Sequence, residues 1–83
     1  MKKKMLKVLL LKSLPDTYIV GMIEEMDEEP SLFIKDAYTI HDGQLEEWPK
    51  YTSQRDVFLT SDSIFTILDP SAEVAAAYSQ KES

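Results

Sequence analysis

Residues 18–38, YIVGMIEEMDEEPSLFIKDAY, decide how this chain folds. The first part, 18–26, is rich in Tyr, Ile, Val and Met, side chains that suit a pleated, half-buried surface. The second, 31–38, alternates Leu32, Ile34 and Asp36 against Phe33, Lys35 and Ala37 at the period of a strand. Between them Asp27-Glu28-Glu29-Pro30 forms a polar turn, since Asp bonds its own backbone and Pro fixes φ. Two such runs joined by a turn are a β-hairpin. Gly21 stands inside the first run, where glycine weakens a strand unless the backbone bends sharply or another chain segment approaches closely. A hairpin with one long bent strand suits a small, strongly curved barrel.

The flanks extend this pattern. Upstream, residues 5–12 read as a first strand, although a Leu-rich run this short is ambiguous between strand and helix. Ser13-Leu14-Pro15-Asp16 is a turn leading into the hairpin. Downstream, 39–55 is the least patterned part, with a turn signal at His41-Asp42-Gly43. Residues 57–60 and 64–68 are short strands joined by Ser61-Asp62-Ser63. Asp69-Pro70 then reads as N-cap and first residue of a helix over 69–80, with Val74 and Tyr78 one turn apart on a single face. The expectation is a mainly β, single-domain chain: a five-stranded antiparallel barrel with a short C-terminal helix.

A chain of 83 residues buries only about 60% of its unfolded surface. With no cysteine, neither a disulfide nor a thiolate metal site adds to that margin, which leaves self-association as the remaining source of burial. The longest early apolar run, Val8-Leu9-Leu10-Leu11 between Lys7 and Lys12, is far too short for a membrane span or a signal sequence. The expected location is cytoplasmic, with no membrane contact.

The net charge of −6 opposes a general affinity for nucleic acid. Its distribution is lopsided, however. Residues 1–12 hold five lysines and no acid, whereas 13–83 hold all fifteen acidic groups against four basic ones. Residues 1–4 read as a flexible basic tail, and two roles are open for Lys2, Lys3 and Lys4: a solubilising tail, or a phosphate-contacting arm that gains force when an oligomer gathers several on one face.

Machinery for catalysis is hard to assemble from these residues. The one histidine, His41, lies in a turn beside Gly43 and reads as a solvated loop residue. There is no cysteine nucleophile and no glycine-rich phosphate loop. Glu24, Glu25, Asp27, Glu28 and Glu29 match no calcium-loop spacing and read as a solvated hairpin tip. The expectation is a non-enzyme without cofactor or metal.

Two stretches carry a family resemblance. Ile19, Gly21, Ile23, Met26, Asp27, Leu32, Ile34, Asp36 and Ala37 resemble the first motif of the Sm and Sm-like RNA-binding proteins, with Ser31 where that motif has Asn. Phe58, Leu59, Asp62, Ile64 and Ile67 are similar to its second motif, with Thr60 and Ser61 where Arg and Gly are usual. The chain thus looks like a divergent branch of that family, bacterial or phage-borne.

The resemblance implies an Sm-type barrel, a variable loop over 41–55 and a closed homo-oligomeric ring. It places Phe58, Leu59, Ile64, Phe65 and Ile67 at the subunit interface. It also places Asp27, Glu29, Ser31, Thr60, Ser61 and Asp62 at the RNA site. There Glu29 and Thr60 replace the two planar groups between which a base stacks, so the usual uridine pocket is not conserved in chemistry. Trp48 and Tyr51 beside Lys50 and Arg55 offer another surface, suited to single-strand stacking or to protein contact. The expected function is nucleic-acid binding by an Sm-like ring, to RNA or single-stranded DNA. Its alternative is a structural or protein-interaction ring without RNA affinity.

Overall fold

The computed structural model describes residues 4–25 and 32–83. Six antiparallel strands form one sheet: β1 (Lys4–Leu11), β2 (Leu14–Glu25), β3 (Leu32–His41), β4 (Gln44–Glu47), β5 (Asp56–Leu59) and β6 (Ile64–Leu68). Helix α1 (Ala72–Glu82) follows, and a 3-10 turn at Ser61–Ser63 links β5 to β6. The order across the sheet is β4-β3-β2-β1-β6, with β5 also paired to β3. The expected mainly β chain with a C-terminal helix is what the residues form. The expected count of five strands is corrected to six, and the sheet is open: among the described residues no ladder joins β5 to β6.

The β2–β3 hairpin runs from Tyr18↔Ile40 to Glu25↔Leu32. Its tip, with Asp27, Glu29 and Ser31, lies outside the described residues. The ladder passes from Val20↔Tyr38 to Met22↔Lys35, so Asp36 and Ala37 together oppose the single residue Gly21. This is a β-bulge, which bends a strand and raises its twist. Asp36 takes the left-handed conformation the bulge needs, with φ 50°. A Cβ on Gly21 would sit 2.8 and 2.9 Å from two carbons of Ile34 and 3.1 Å from the Lys35 carbonyl oxygen. Glycine is there because β3 bends onto it. Gly21→Ala is expected to destabilise the fold by about 1–3 kcal/mol through overpacking. An unchanged denaturation midpoint would show that β3 yields freely at this point.

The extra strand, β4, follows from the turn at Asp42-Gly43. Asp42 and Gly43 take φ 50° and 77°, the two positive values of a type I′ hairpin. Gln44–Glu47 therefore folds straight back onto His41–Tyr38. Farther toward its start, β3 pairs with β5 instead, from Leu32↔Leu59 to Lys35↔Asp56. One strand thus serves two partners in tandem along one edge. At the other end of the sheet, the β1–β2 turn is Lys12-Ser13, with Leu11↔Leu14, rather than residues 13–16. Pro15 falls where that ladder slips, so its missing N–H removes no bond.

Burial explains the Leu-rich run. Val8, Leu9, Leu10 and Leu11 are all buried because β1 is covered on both faces. One face gathers Leu9, Leu11, Ile19, Ile23, Leu32, Ile34, Ala37 and Leu59, with Trp48, Val57 and Ile64 against them. Leu59 of β5, paired to β3, and Ile64 of β6, paired to β1, both reach that cluster, so the sheet is curled around it. The opposite face joins Val8, Val20, Tyr38 and Leu45 to Tyr78 of α1, with Val74 and Ala77 beside it. The expected Val74–Tyr78 stripe is the face α1 buries.

The start of α1 differs from the expectation. Ser71 is the N-cap: its hydroxyl accepts from the Val74 N–H at 3.2 Å, and the helix spans Ala72–Glu82 rather than 69–80. Asp69 is engaged elsewhere. Leu68 pairs with Val8, so Asp69 falls opposite Lys7, and its carboxylate accepts from that ammonium. Ser71→Ala is expected to lower stability by about 0.5–2 kcal/mol through loss of the cap. Asp69→Ala removes one exposed ion pair and should change it by less than about 1 kcal/mol. Thermal melts giving the reverse ranking would return the cap to Asp69.

Candidate functional site

The branch in β3 is held by a side chain that sequence reasoning left in solvent. Where β4 ends and β5 begins, the Trp48 N–H donates to the Ala37 carbonyl and the Asp36 N–H to the Arg55 carbonyl, each at 3.0 Å. The Arg55 guanidinium closes the gap, donating to the Trp48 carbonyl at 2.7 Å and the Ala37 carbonyl at 2.8 Å. It also lies 5.1 Å from the centroid of the Tyr38 ring. Arg55 is therefore a structural clasp, and the exposed cluster expected with Trp48, Lys50 and Tyr51 is not formed as a unit. Trp48 is half-buried against the inner core, while Lys50 and Tyr51 remain exposed.

Tyr38 carries the clasp on to the helix. Its hydroxyl donates to Glu82 at 2.6 Å, and its ring meets that of Tyr78 edge-on, with centroids 5.6 Å apart. Burial first, then the hydrogen bond and charge of Glu82, push the Tyr38 hydroxyl up to about 12. Burial and the charges of Glu82 and Asp36 also raise Tyr78. Its hydroxyl is buried without a hydrogen-bond partner among the described residues. Raised phenol values mean that the folded state holds these protons more tightly than the unfolded one. The resulting stability is complete below pH about 10 and declines as pH rises through the folded values. Ultraviolet titration should show Tyr38 and Tyr78 ionising only together with unfolding. Ionisation of Tyr38 and Tyr78 at the ordinary phenol value in the folded protein would contradict this.

The residues assigned to the interface and the RNA site fall on or near the open edges. On their outer sides, β5 and β6 have no strand partner among the described residues. Phe58 is 55% exposed, Phe65 64%, Ile67 41% and Leu68 45%. Phe58 lies 4.7 Å from the Phe33 ring on the paired strand. Phe65 is a bulge residue: Leu10 pairs with Thr66 and Leu11 with Ile64, so nothing on β1 opposes it. Leu59 and Ile64, by contrast, pack in the core of their own chain.

Thr60, Ser61 and Asp62 lie together on the exposed turn between these strands. That turn is fixed by the N–H and hydroxyl of Ser63, which both donate to the Thr60 carbonyl, at 3.1 and 2.8 Å. Asp27, Glu29, Ser31, Lys2 and Lys3 lie outside the described residues. Lys4 opens β1 opposite Glu24 instead of belonging to a tail. No helix among the described residues is long and apolar enough to cross a membrane.

Residues 4–83 match the model of DUF6561, a family of unknown function. The chain belongs to DUF6561. Comparison with curated proteins finds no match. The DUF6561 description names no activity, ligand or partner, so the reading of this DUF6561 chain rests on its own edges and surfaces.

Proposed function

We propose that this chain is a self-assembling interaction module. In this reading the curled sheet is an Sm-type barrel that joins identical copies head to tail, the β5 edge of one subunit pairing with the β6 edge of the next. The observation that carries it is the coexistence, in one chain, of two unpaired strand edges bearing exposed Phe58, Phe65, Ile67 and Leu68. Neither Asp56–Leu59 nor Ile64–Leu68 contains Pro or Lys to blunt an edge. Pairing them with each other's copies satisfies both. Such a contact is heterologous and closes into a ring when the rotation per subunit divides the circle. The resemblance to the Sm family, which rests in part on the same two strands, implies the same assembly.

Binding of RNA or single-stranded DNA is the second reading, and it rests on the lysines at the start of the chain. Arg55 is engaged inside the fold, Lys7 is paired with Asp69 at the surface, and Thr60, Ser61 and Asp62 offer neither a planar nor a positive group. Binding would then run through phosphate contacts and fall steeply with salt. Native mass spectrometry tests the first reading, with one closed multimer expected. Labelled homopolymer RNAs and single-stranded DNA at two salt concentrations test the second. A chain that stays monomeric at tens of micromolar removes the ring. Binding that persists at high salt, or that survives removal of residues 1–4, removes the lysine-arm mechanism.

A further inference from the structure

A cavity of about 610 Å³ opens at the end of the inner core, lined by parts of β2, β3 and β4 and of the segment after β4. That size is in the usual range for a small-ligand site, roughly 300–1,000 Å³. It includes no residue of β5 or β6, so it is separate from the proposed assembly edges. Thr39 is paired to Ile19 on one side and Glu46 on the other, which sets Glu46 and the Thr39 hydroxyl on the core face of the sheet. Trp48 both packs on the inner core and lines the cavity, giving it one fixed aromatic wall. Tyr51 stands at the cavity fully exposed, at φ 66°, a conformation that costs energy for a side chain of its size.

The charges there favour one sign of ligand. Asp16 lines the cavity and makes no ion pair or hydrogen bond among the described residues. The two basic residues of the lining each face an acid: Lys50 lies 3.9 Å from Glu46, and His41 lies 3.4 Å from Asp42. Asp16 is left as the uncompensated charge in a cavity also lined by an indole and a phenol, whose ring faces are electrostatically negative. An acid with aromatic faces suits a weakly hydrated cation, which gains from both the carboxylate and the ring quadrupole. We propose that this cavity binds an ammonium or guanidinium group, best when methylated, seated against Trp48 and balanced by Asp16. The overall charge of −6 draws such cations toward the surface. The group has two sources: a free small amine, or a Lys or Arg side chain presented by a partner protein.

The test uses the intact protein and its single tryptophan, Trp48. Tetramethylammonium is expected to change Trp48 fluorescence saturably in the millimolar range, whereas tert-butanol, similar in bulk and neutral, leaves it unchanged. Asp16→Asn and Tyr51→Ala, both at exposed positions, should each weaken binding at least threefold without shifting the melting temperature. Capped tripeptides centred on trimethyllysine or arginine separate the sources. A tenfold gain over tetramethylammonium assigns a partner's side chain, and equal affinity assigns a free amine. An equal response to tert-butanol, unchanged binding in Asp16→Asn, or tighter binding of acetate than of the cation overturns the proposal.

Discussion

If copies join through the β5 and β6 edges as proposed, replacing Phe65 by Glu is expected to leave a folded monomer. Phe65 is already 64% exposed in the single chain and sits at a bulge with no residue opposite, so the change removes little from the subunit's own core. Across a junction the same ring would be buried, contributing about 1.5–3 kcal/mol. A carboxylate in its place would also have to be desolvated, at further expense. Each 1.4 kcal/mol is a factor of ten in affinity, so a loss of 100-fold or more at every junction is expected. Sedimentation and native mass spectrometry would report the change in mass, and a thermal melt would show that the subunit still folds. Tyr18→Glu is the control: Tyr18 is 46% exposed on β2, away from both edges, and should leave assembly intact. Identical mass distributions for the Phe65 variant and the wild type would remove the β6 edge from the interface.

Arg55→Met should give the largest loss of subunit stability. The guanidinium donates to two backbone carbonyls at the β3 branch; when it goes, the Trp48 carbonyl loses that donor and the Ala37 carbonyl keeps only the Trp48 N–H. Hydrogen bonds to a charged group are worth about 1.5–3 kcal/mol each, and contact with the Tyr38 ring adds about 0.5–1 kcal/mol. Met keeps most of the apolar stem, so a net loss of about 3 kcal/mol is expected. For a domain of this size that lowers the melting temperature by about 12–24 °C. Arg55→Lys should recover little, because an ammonium lacks the planar fork that reaches both carbonyls. Hydrogen exchange would localise the damage: the Trp48 and Asp36 amides on either side of the branch should lose protection first. A melting temperature within about 3 °C of wild type would mean that the two ladders hold without the clasp.

Much of the architecture was legible because it is periodic. The alternation in residues 31–38 gave β3, and Gly21 inside an apolar run announced a close approach that proves to be Ile34. The apolar pairs at Phe58-Leu59 and Ile64–Leu68 gave β5 and β6. What escaped was carried by short or polar segments. β4 has four residues and buries only Leu45, so periodicity had nothing to act on and the Asp42-Gly43 turn was the sole signal. Asp69 looked like the better cap, but strand register had already committed it to Lys7. Arg55 reads as solvent-facing in any polar stretch, because carbonyls made available by a split ladder have no signature in sequence. Of the residues that the resemblance assigns to the interface, Phe58, Phe65 and Ile67 are exposed, while Leu59 and Ile64, equally β-forming, could not be told from them before burial was known.

The tandem pairing of β3 has a consequence for tolerance to change. Because β4 and β5 are each fixed to β3 by their own ladders, the chain between them need only leave at Trp48 and return at Arg55. Thr52, Ser53 and Gln54 are exposed, and the link they form carries no part of either ladder. Doubling the length of such a loop costs only about 0.6 kcal/mol in closure entropy. This is the place where the chain can accept foreign sequence, an epitope or a whole guest domain, and display it from a scaffold that keeps its shape.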